Sequence, residues 1–492
     1  MKVALVNLGN PSIRPEDEEE HLGLGYLAAV ARRAGHEVRI FDATVHRLPP
    51  TRLVGAVGGT GADRPDVVGV SVIFQETIPR TMAFIAGLRR AGFRGHVVIG
   101  GHPATFLFRE LVRDYGSGAR AAEHERTFDS IALGEAEETF ADLLAALEES
   151  RDWAVLPGLV GTEAAATAAI AEAAAADRSG NPAATAPPGG RSRSPSPKPR
   201  PLVADLDSLP FPARDTLPAF LARARGPRTA SVLRSRGCYG DCSFCDVRAF
   251  YAASPGPAWR VRSAAGVADE IEALVRDHGV EAVRFWDDNF VGPGRRGREA
   301  AEALARELIR RRAAGSLPSS LRFSFECRVT DVDPDLFRLL KEAGLDRVFL
   351  GVEAMNQRQL DFFNKKVAVE DNRRALRVID ELGLDVVIGM IMFDPDTTVA
   401  ELEANLAFLR ESFGGWGEVR RKVARPWNRL EVYAGTPLEA SLRAEGRLKG
   451  DYVRYDYDFA DPTVGRIFSS GAALRRVGLP IRDALSRLRR GR

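Results

Sequence analysis

The sequence predicts an α/β protein: an N-terminal Rossmann-like doubly wound parallel sheet, then a partial (βα)6 barrel, then a small, mainly helical C-terminal extension. Three observations carry this. Short apolar runs alternate with amphipathic stretches up to about residue 150, the pattern of a parallel sheet covered on both faces. The run "EAAATAAIAEAAAADRSGNPAATAPPGGRSRSPSPKPR" at 163–200 has nothing able to form a core. A second alternating series begins after residue 200. The expected division is 1–160, a disordered Ala/Pro/Ser/Arg-rich linker over 161–200, a second domain over 201–450 and an extension over 451–492. A chain of 492 residues is long enough for it, at roughly 100–200 residues per domain.

In the first series, "KVALVN" reads as a buried strand, "GYLAAVARRAG" as a helix and "EVRIFDA" as the next strand. Leu27, Val30, Ala31 and Ala34 recur at helical spacing, and Gly35 is placed to stop the helix. The strand "DVVGVSVIF", the helix "TMAFIAGLRRAG", the strand "HVVIGG", the short "SIALG" and the helix "EETFADLLAALEE" continue it. In the second series the strand candidates are "ASVLRSRG", "EAVRFWDDNF", "LRFSFECRV", "DRVFLGVEA", "DVVIGMIMF" and "RLEVYAG". Helices such as "GVADEIEALVRDHG", "PDLFRLLKEAG" and "VAELEANLAFLRE" separate them. Six strands are too few for a closed eight-stranded barrel, so the barrel is read as open. The last residues hold the aromatic "DYVRYDYDF" and a basic helix with Arg482, Arg487, Arg489 and Arg490, read as a surface cap.

The 69 basic and 67 acidic residues leave a net charge of +2 and no global field for nucleic acid or an anionic membrane. The start lacks a signal-peptide pattern and no membrane-length apolar run follows, so a cytoplasmic location is expected. Four cysteines in so long a chain are no disulfide framework, and a tight cluster in a reducing compartment points to metal or redox chemistry.

Three of those four stand in "RGCYGDCSFCDVRAFY" as Cys238, Cys242 and Cys245, a Cys-x3-Cys-x2-Cys spacing directly after a predicted strand. A closed zinc site wants a fourth Cys or His, and no His lies between 200 and 277. Disulfides would leave one thiol over. Three thiolates suit three irons of a four-iron, four-sulfur cluster whose fourth iron stays open; zinc and a cluster of another kind remain the alternatives. Asp246 reads as a helix cap. Cys327 shares a strand face with Phe323 and Phe325, which makes it a core thiol, with a methyl-carrying or proton-donating role as the sharper alternative.

The cysteine loop, with Phe244 before the third Cys, resembles the signature of the radical S-adenosylmethionine (radical SAM) superfamily. The resemblance implies a [4Fe–4S] cluster on Cys238, Cys242 and Cys245, whose open iron chelates SAM and cleaves it to methionine and a 5′-deoxyadenosyl radical. For the SAM pocket it implies Phe244, with Asp287, Asp288 and Asn289 accepting from the ammonium, Arg328 pairing the carboxylate and Glu353 reaching the ribose. Each of these residues is also explained as a polar strand end capping the next helix.

In the first domain "GLGYLA" (23–28), with Asp42 beyond it, matches a dinucleotide fingerprint, but the first strand ends some 15 residues too early for it. Instead "GLGYLAAVARRAGHEVRIFDA", "GVSVIFQET", "IGGHPATF" and "IALGEAEETFADLL" resemble the cobalamin-binding domain of one radical SAM class, the class B methyltransferase-like enzymes. Ser71, Gly100, Gly101, His102 and Gly134 are the implied lining of the cobalamin face. The Asp-x-His-x-x-Gly motif of some cobalamin proteins is absent, and His46 has the wrong spacing, so cobalamin is expected without a motif histidine. The connector "DLDSLPFPARD" also resembles the family.

The resemblance implies a cobalamin-dependent radical SAM methyltransferase acting on an unactivated carbon of a biosynthetic intermediate through a 5′-deoxyadenosyl radical and methylcobalamin. The alternatives are a rearrangement, cyclisation or dehydrogenation without methyl transfer, and a non-catalytic cobalamin or SAM sensor. A transfer-RNA methylthiolating enzyme is set aside, because it needs three more cysteines in the first domain and residues 1–237 have none. The expected partners are a small-molecule, lipid or peptide substrate and an external electron donor such as flavodoxin or ferredoxin, with no nucleic acid and no membrane span. The catalytic residues beyond the cofactor ligands are not legible.

Overall fold

The computed structural model describes residues 1–10, 20–46, 48–59, 61–116, 127–162, 198–223 and 226–476. The linker expected over 161–200 falls almost wholly outside them, as does the basic segment with Arg482, Arg487, Arg489 and Arg490. The chain forms two compact units. The first takes in Met1–Arg225, Ala249–Pro257 and Tyr452–Arg454, the second Gly226–Arg248, Ala258–Asp451 and Tyr455–Arg492.

The first unit is built on a six-stranded sheet ordered second, first, third, fourth, fifth, sixth: Glu37–Asp42, Lys2–Asn7, Val67–Ser71, His96–Gly100, Ser130–Ala132 and Leu159–Gly161. All pairings are parallel except the last. The strand order reverses between the first and third strands, the point where such sheets bind ligands outside their carboxyl ends. There Asn7 is in register with Asp42 and Ser71, and Ser71 with Gly100. Helix Leu22–Arg33 buries Leu24, Ala28 and Ala31 against Val3 and Leu5. Ala34, expected on that apolar stripe, is exposed at the helix cap, because Gly35 (φ +89°) turns the chain away one residue later. Gly25 admits the connector: Ala213 N–H donates to its carbonyl at 2.9 Å, and a Cβ on Gly25 would lie 2.8 Å from the Ala213 oxygen. The glycines that imitate a dinucleotide fingerprint thus have a packing reason.

The second unit holds a six-stranded, wholly parallel sheet in sequential order: Thr229–Val232, Ala282–Phe285, Arg322–Arg328, Leu345–Glu353, Asp385–Met390 and Val423–Ala424. The last strand is a correction. "RLEVYAG" (429–435) alternates like a strand but makes only an isolated bridge between Phe393 and Arg429, and the two-residue Val423–Ala424 takes the sixth place. Alternation along the third strand buries Phe323, Phe325 and Cys327 and leaves Ser324 and Glu326 partly exposed. Cys327 is therefore a core thiol. Phe325 stacks on Phe290 at 4.0 Å and 5°, with Phe323 and Phe337 around it. The extension is a two-stranded hairpin, Lys449–Asp451 with Arg454–Asp456, followed by helix Pro462–Arg476. Among the described residues no helix is long and apolar enough to cross a membrane.

Because Phe325 is fully buried in this ring cluster, Phe325→Ala is expected to cost about 3–5 kcal/mol. Urea unfolding followed by tryptophan fluorescence checks it, and a loss below about 1 kcal/mol would contradict the assigned core.

Candidate active site

The loop after the first barrel strand carries Cys238, Cys242 and Cys245, all free and half-buried. Its backbone is irregular and held from outside. Asp287, just past the second barrel strand, accepts through Oδ1 from the backbone N–H of Arg234 at 2.9 Å and from that of Ser235. Asp288 accepts from Gly237 N–H at 2.8 Å. Gly237 is obligatory at φ +89°, since a Cβ there would lie 1.8 Å from the Ala258 oxygen. Arg328, ending the third strand, donates from Nη1 to Cys242 Sγ at 3.3 Å and from Nη2 to the Lys365 carbonyl. Phe244 sets its ring edge-on to Phe363 at 5.6 Å.

Burial pushes the Cys245 thiol up to about 12 and raises Cys238 as well. Thiols so placed stay protonated unless a cation compensates, and bound iron does that while releasing the protons. Among the described residues, however, no three His, Cys, Asp or Glu side chains are gathered to grip a single ion. Three thiols from one loop can instead each hold a different iron of a four-iron cluster, whereas a closed zinc site wants a fourth Cys or His.

The Asp287, Asp288, Asn289 trio is divided between the interior and the surface. Asp287 is buried at 2% exposure, and Asn289, at 1%, donates to Asp331 at 2.8 Å and accepts from Gly292 N–H at 2.8 Å. Both hold the fold. Asp288 alone is exposed. Glu353 sits at φ +63°, and its Oε1 accepts from Lys365 Nζ at 2.8 Å. On the fourth and fifth barrel strands the interior positions Phe349, Gly351, Glu353, Val387 and Gly389 are only partly buried while their neighbours are buried. The barrel interior is therefore not packed shut, unlike that of a closed eight-stranded barrel.

In the first unit Ser71, Gly100, Gly101, His102 and Gly134 all follow or end parallel strands on the carboxyl side. Gly101 (φ +114°) would put a Cβ 2.2 Å from the Val72 oxygen. Gly134 N–H donates to Thr105 Oγ1 at 3.1 Å. The His102 ring stacks on Phe250 at 3.8 Å and 11°, which packs it in place. Sequence reading missed His21. Its Nδ1 accepts from Leu24 N–H at 3.2 Å, so Nε2 carries the hydrogen and donates to Ser71 Oγ at 2.8 Å. Ser71 is thereby left its own hydrogen to donate. This face, bare of side chains at its glycines, fits a large flat ligand such as a corrin.

Comparison with known proteins agrees with both halves. Residues 232–409 match the model of the radical SAM superfamily, and residues 13–144 match the B12 binding domain. The chain is a radical SAM enzyme with a B12-binding domain. An uncharacterized methyltransferase of Pyrococcus horikoshii is 25% identical over 414 residues, which are 84% of this chain and 78% of that protein. The hopanoid C-3 methylase of Methylococcus capsulatus is 28% identical over 382 residues, 77% of this chain and 61% of that enzyme. The anaerobic magnesium-protoporphyrin IX monomethyl ester cyclase of Cereibacter sphaeroides is 26% identical over 450 residues, 88% of this chain and 62% of that enzyme. This radical SAM chain thus spans less than two thirds of the latter two relatives. Its fold resembles the cobalamin-dependent S-adenosylmethionine radical enzyme OxsB with a TM-score of 0.72 at 19% identity, over 96% of this chain and 66% of that one. It also resembles the methyltransferase TsrM of Kitasatospora setae, solved with cobalamin and a [4Fe–4S] cluster, with a TM-score of 0.63 at 20% identity, over 90% of this chain and 75% of that one. With these two domains go a [4Fe–4S] cluster, SAM and cobalamin.

Burial pushes the Asp287 carboxyl up to about 7 against the charge of Arg234. The folded state then keeps a proton that the unfolded state has released, so stability falls as pH rises from about 4 to about 7. Asp287→Asn keeps an acceptor for the loop N–H groups and is expected to flatten that slope. Thermal midpoints of both proteins at about pH 5 and about pH 7.5 check this, and an unchanged slope contradicts it.

Proposed function

We propose that this protein is a cobalamin-dependent radical SAM methyltransferase acting on an unactivated carbon of a small-molecule or lipid biosynthetic intermediate. The observation that carries it is the presence in one chain of the three-cysteine loop and the glycine-lined B12 face. When bound, the cluster and cobalamin supply SAM cleavage to a 5′-deoxyadenosyl radical and a carrier for a methyl group.

The residues have distinct tasks under this reading. Cys238, Cys242 and Cys245 hold the cluster, and Phe244 packs their loop. Asp288, exposed beside the loop, accepts from the SAM ammonium, while Asp287 and Asn289 support it from behind. Arg328 is largely spent on Cys242 and the Lys365 carbonyl, so its first task is to hold the loop, with the SAM carboxylate as a further partner. Glu353 keeps one oxygen on Lys365 and offers the other to the ribose hydroxyls. Ser71, Gly100, Gly101, His102 and Gly134 line the corrin face, where Ser71 donates a hydrogen bond. The partly exposed inner face of the barrel gives substrate and SAM a place out of bulk water, which matters because a primary radical takes hydrogen from any donor in reach. The electron comes from an external donor such as flavodoxin or ferredoxin.

A second reading, radical cyclisation without methyl transfer, is favoured by the similarity to the magnesium-protoporphyrin ester cyclase over 88% of this chain. One assay separates the two. Anaerobically reconstituted protein is expected to release 5′-deoxyadenosine from SAM, and the Cys238→Ala, Cys242→Ala and Cys245→Ala variants to lose at least about a hundredfold of that rate. Methyl transfer further predicts S-adenosylhomocysteine that appears only with added cobalamin. Deoxyadenosine without any cobalamin-dependent S-adenosylhomocysteine would favour the cyclase-like reading.

A further inference from the structure

A turn far along the sequence grips the cysteine loop. The carbonyls of Phe362 and Phe363 accept from the Ser243 hydroxyl and N–H at 2.8 and 2.9 Å. Asn364 Nδ2 donates to the Asp241 carbonyl at 2.6 Å, and Lys366 Nζ to Asp241 Oδ2 at 3.1 Å. Asn364 and Lys366 hold φ of +48° and +55°. Such angles cost energy in non-glycine residues and persist only where the surroundings fix them.

Between these two, Lys365 turns inward. It is buried at 4% exposure, its Nζ reaches Glu353 Oε1 at 2.8 Å, and its carbonyl takes the Arg328 guanidinium. Gly351 makes the room, since a Cβ there would lie 2.7 Å from both Lys365 Nζ and Glu353 Oε1. A buried ion pair costs desolvation, and an apolar pair of similar volume often serves stability as well or better. The place of Lys365 beside Arg328 gives it a second task. The guanidinium that bonds the Lys365 carbonyl also donates from Nη1 to Cys242 Sγ at 3.3 Å, which joins the turn carrying Lys365 to the middle sulfur of the loop. Both cationic side chains, Lys365 and Arg328, are buried.

We propose that Lys365, together with Arg328, forms a cationic bed at the Cys242 corner of the loop that retains the iron–sulfur cluster and raises its reduction potential. The inference rests on the radical SAM reading. Reduction adds negative charge, so a fixed positive charge nearby favours the reduced state; charge and hydrogen bonds at the sulfurs are the levers by which a protein sets such potentials. Lys365 is a positioning residue here, since it acts through the cluster ligands. Its place in "FFNKK" gave no sign of this, because paired lysines in a polar turn read as a solvated surface.

The test uses the full chain, reconstituted anaerobically with iron and sulfide and without SAM. Wild type, Lys365→Met, Lys365→Arg and Glu353→Gln/Lys365→Met are compared by iron content and by EPR-monitored redox titration. At the wild-type midpoint, Lys365→Met is expected to show roughly a tenfold lower ratio of reduced to oxidised cluster, equivalent to about 59 mV for one electron. Lys365→Arg should stay near wild type. The double variant, which leaves no unpaired carboxylate, should shift in the same direction as Lys365→Met. Iron lost from Lys365→Met but kept by Lys365→Arg also supports the bed. Wild-type potential in both Lys365→Met and the double variant overturns it, as does equal iron loss from the Met and Arg variants. A wild-type protein that takes up zinc and no iron would sink the radical SAM reading itself, a result distinct from all of these.

Discussion

The second unit's chemistry depends on one constraint: a loop with no regular structure must present three thiols in a fixed arrangement before any iron arrives. A loop alone cannot, since its backbone donors turn to water and its conformational entropy is large. Neighbouring strand ends supply the restraint. Asp287 and Asp288 take the backbone N–H groups leading into the loop, Arg328 takes the middle sulfur, and the Phe362–Lys366 turn takes the Ser243 backbone. These anchors sit at or beyond the carboxyl ends of parallel strands, where side chains converge without a ladder to satisfy.

The first unit solves a different problem with the same geometry. Its strand ends carry glycines, Gly101 because a Cβ would meet the Val72 carbonyl, and the few polar groups beside them are fixed in advance. His21 caps a helix and so is locked in one tautomer, which in turn fixes Ser71 as a donor. The side chain that most resembles a ligand from sequence, His102, is held by Phe250 instead.

How much of this was legible follows from sequence distance. The cysteine spacing, both sheets and the buried face of Cys327 were visible, because local periodicity and a short motif encode them. Asp287, Asp288 and Asn289 were read as one set because they are adjacent, yet consecutive residues at a strand end point to opposite sides. Lys365 and His21 were invisible because their partners lie elsewhere in the sequence, Glu353 12 residues away and Ser71 50. The sixth strand was misplaced because "RLEVYAG" has the alternation of a strand but meets its neighbour only at the isolated Phe393–Arg429 bridge.

The central claim is that this loop holds a four-iron cluster with one iron open to SAM. The most direct measurement is EPR of the anaerobically reconstituted, reduced protein with and without SAM, alongside iron analysis. The account predicts about four irons per chain and a cluster signal that changes when SAM is added. Zinc in place of iron, or a cluster signal indifferent to SAM, would contradict it.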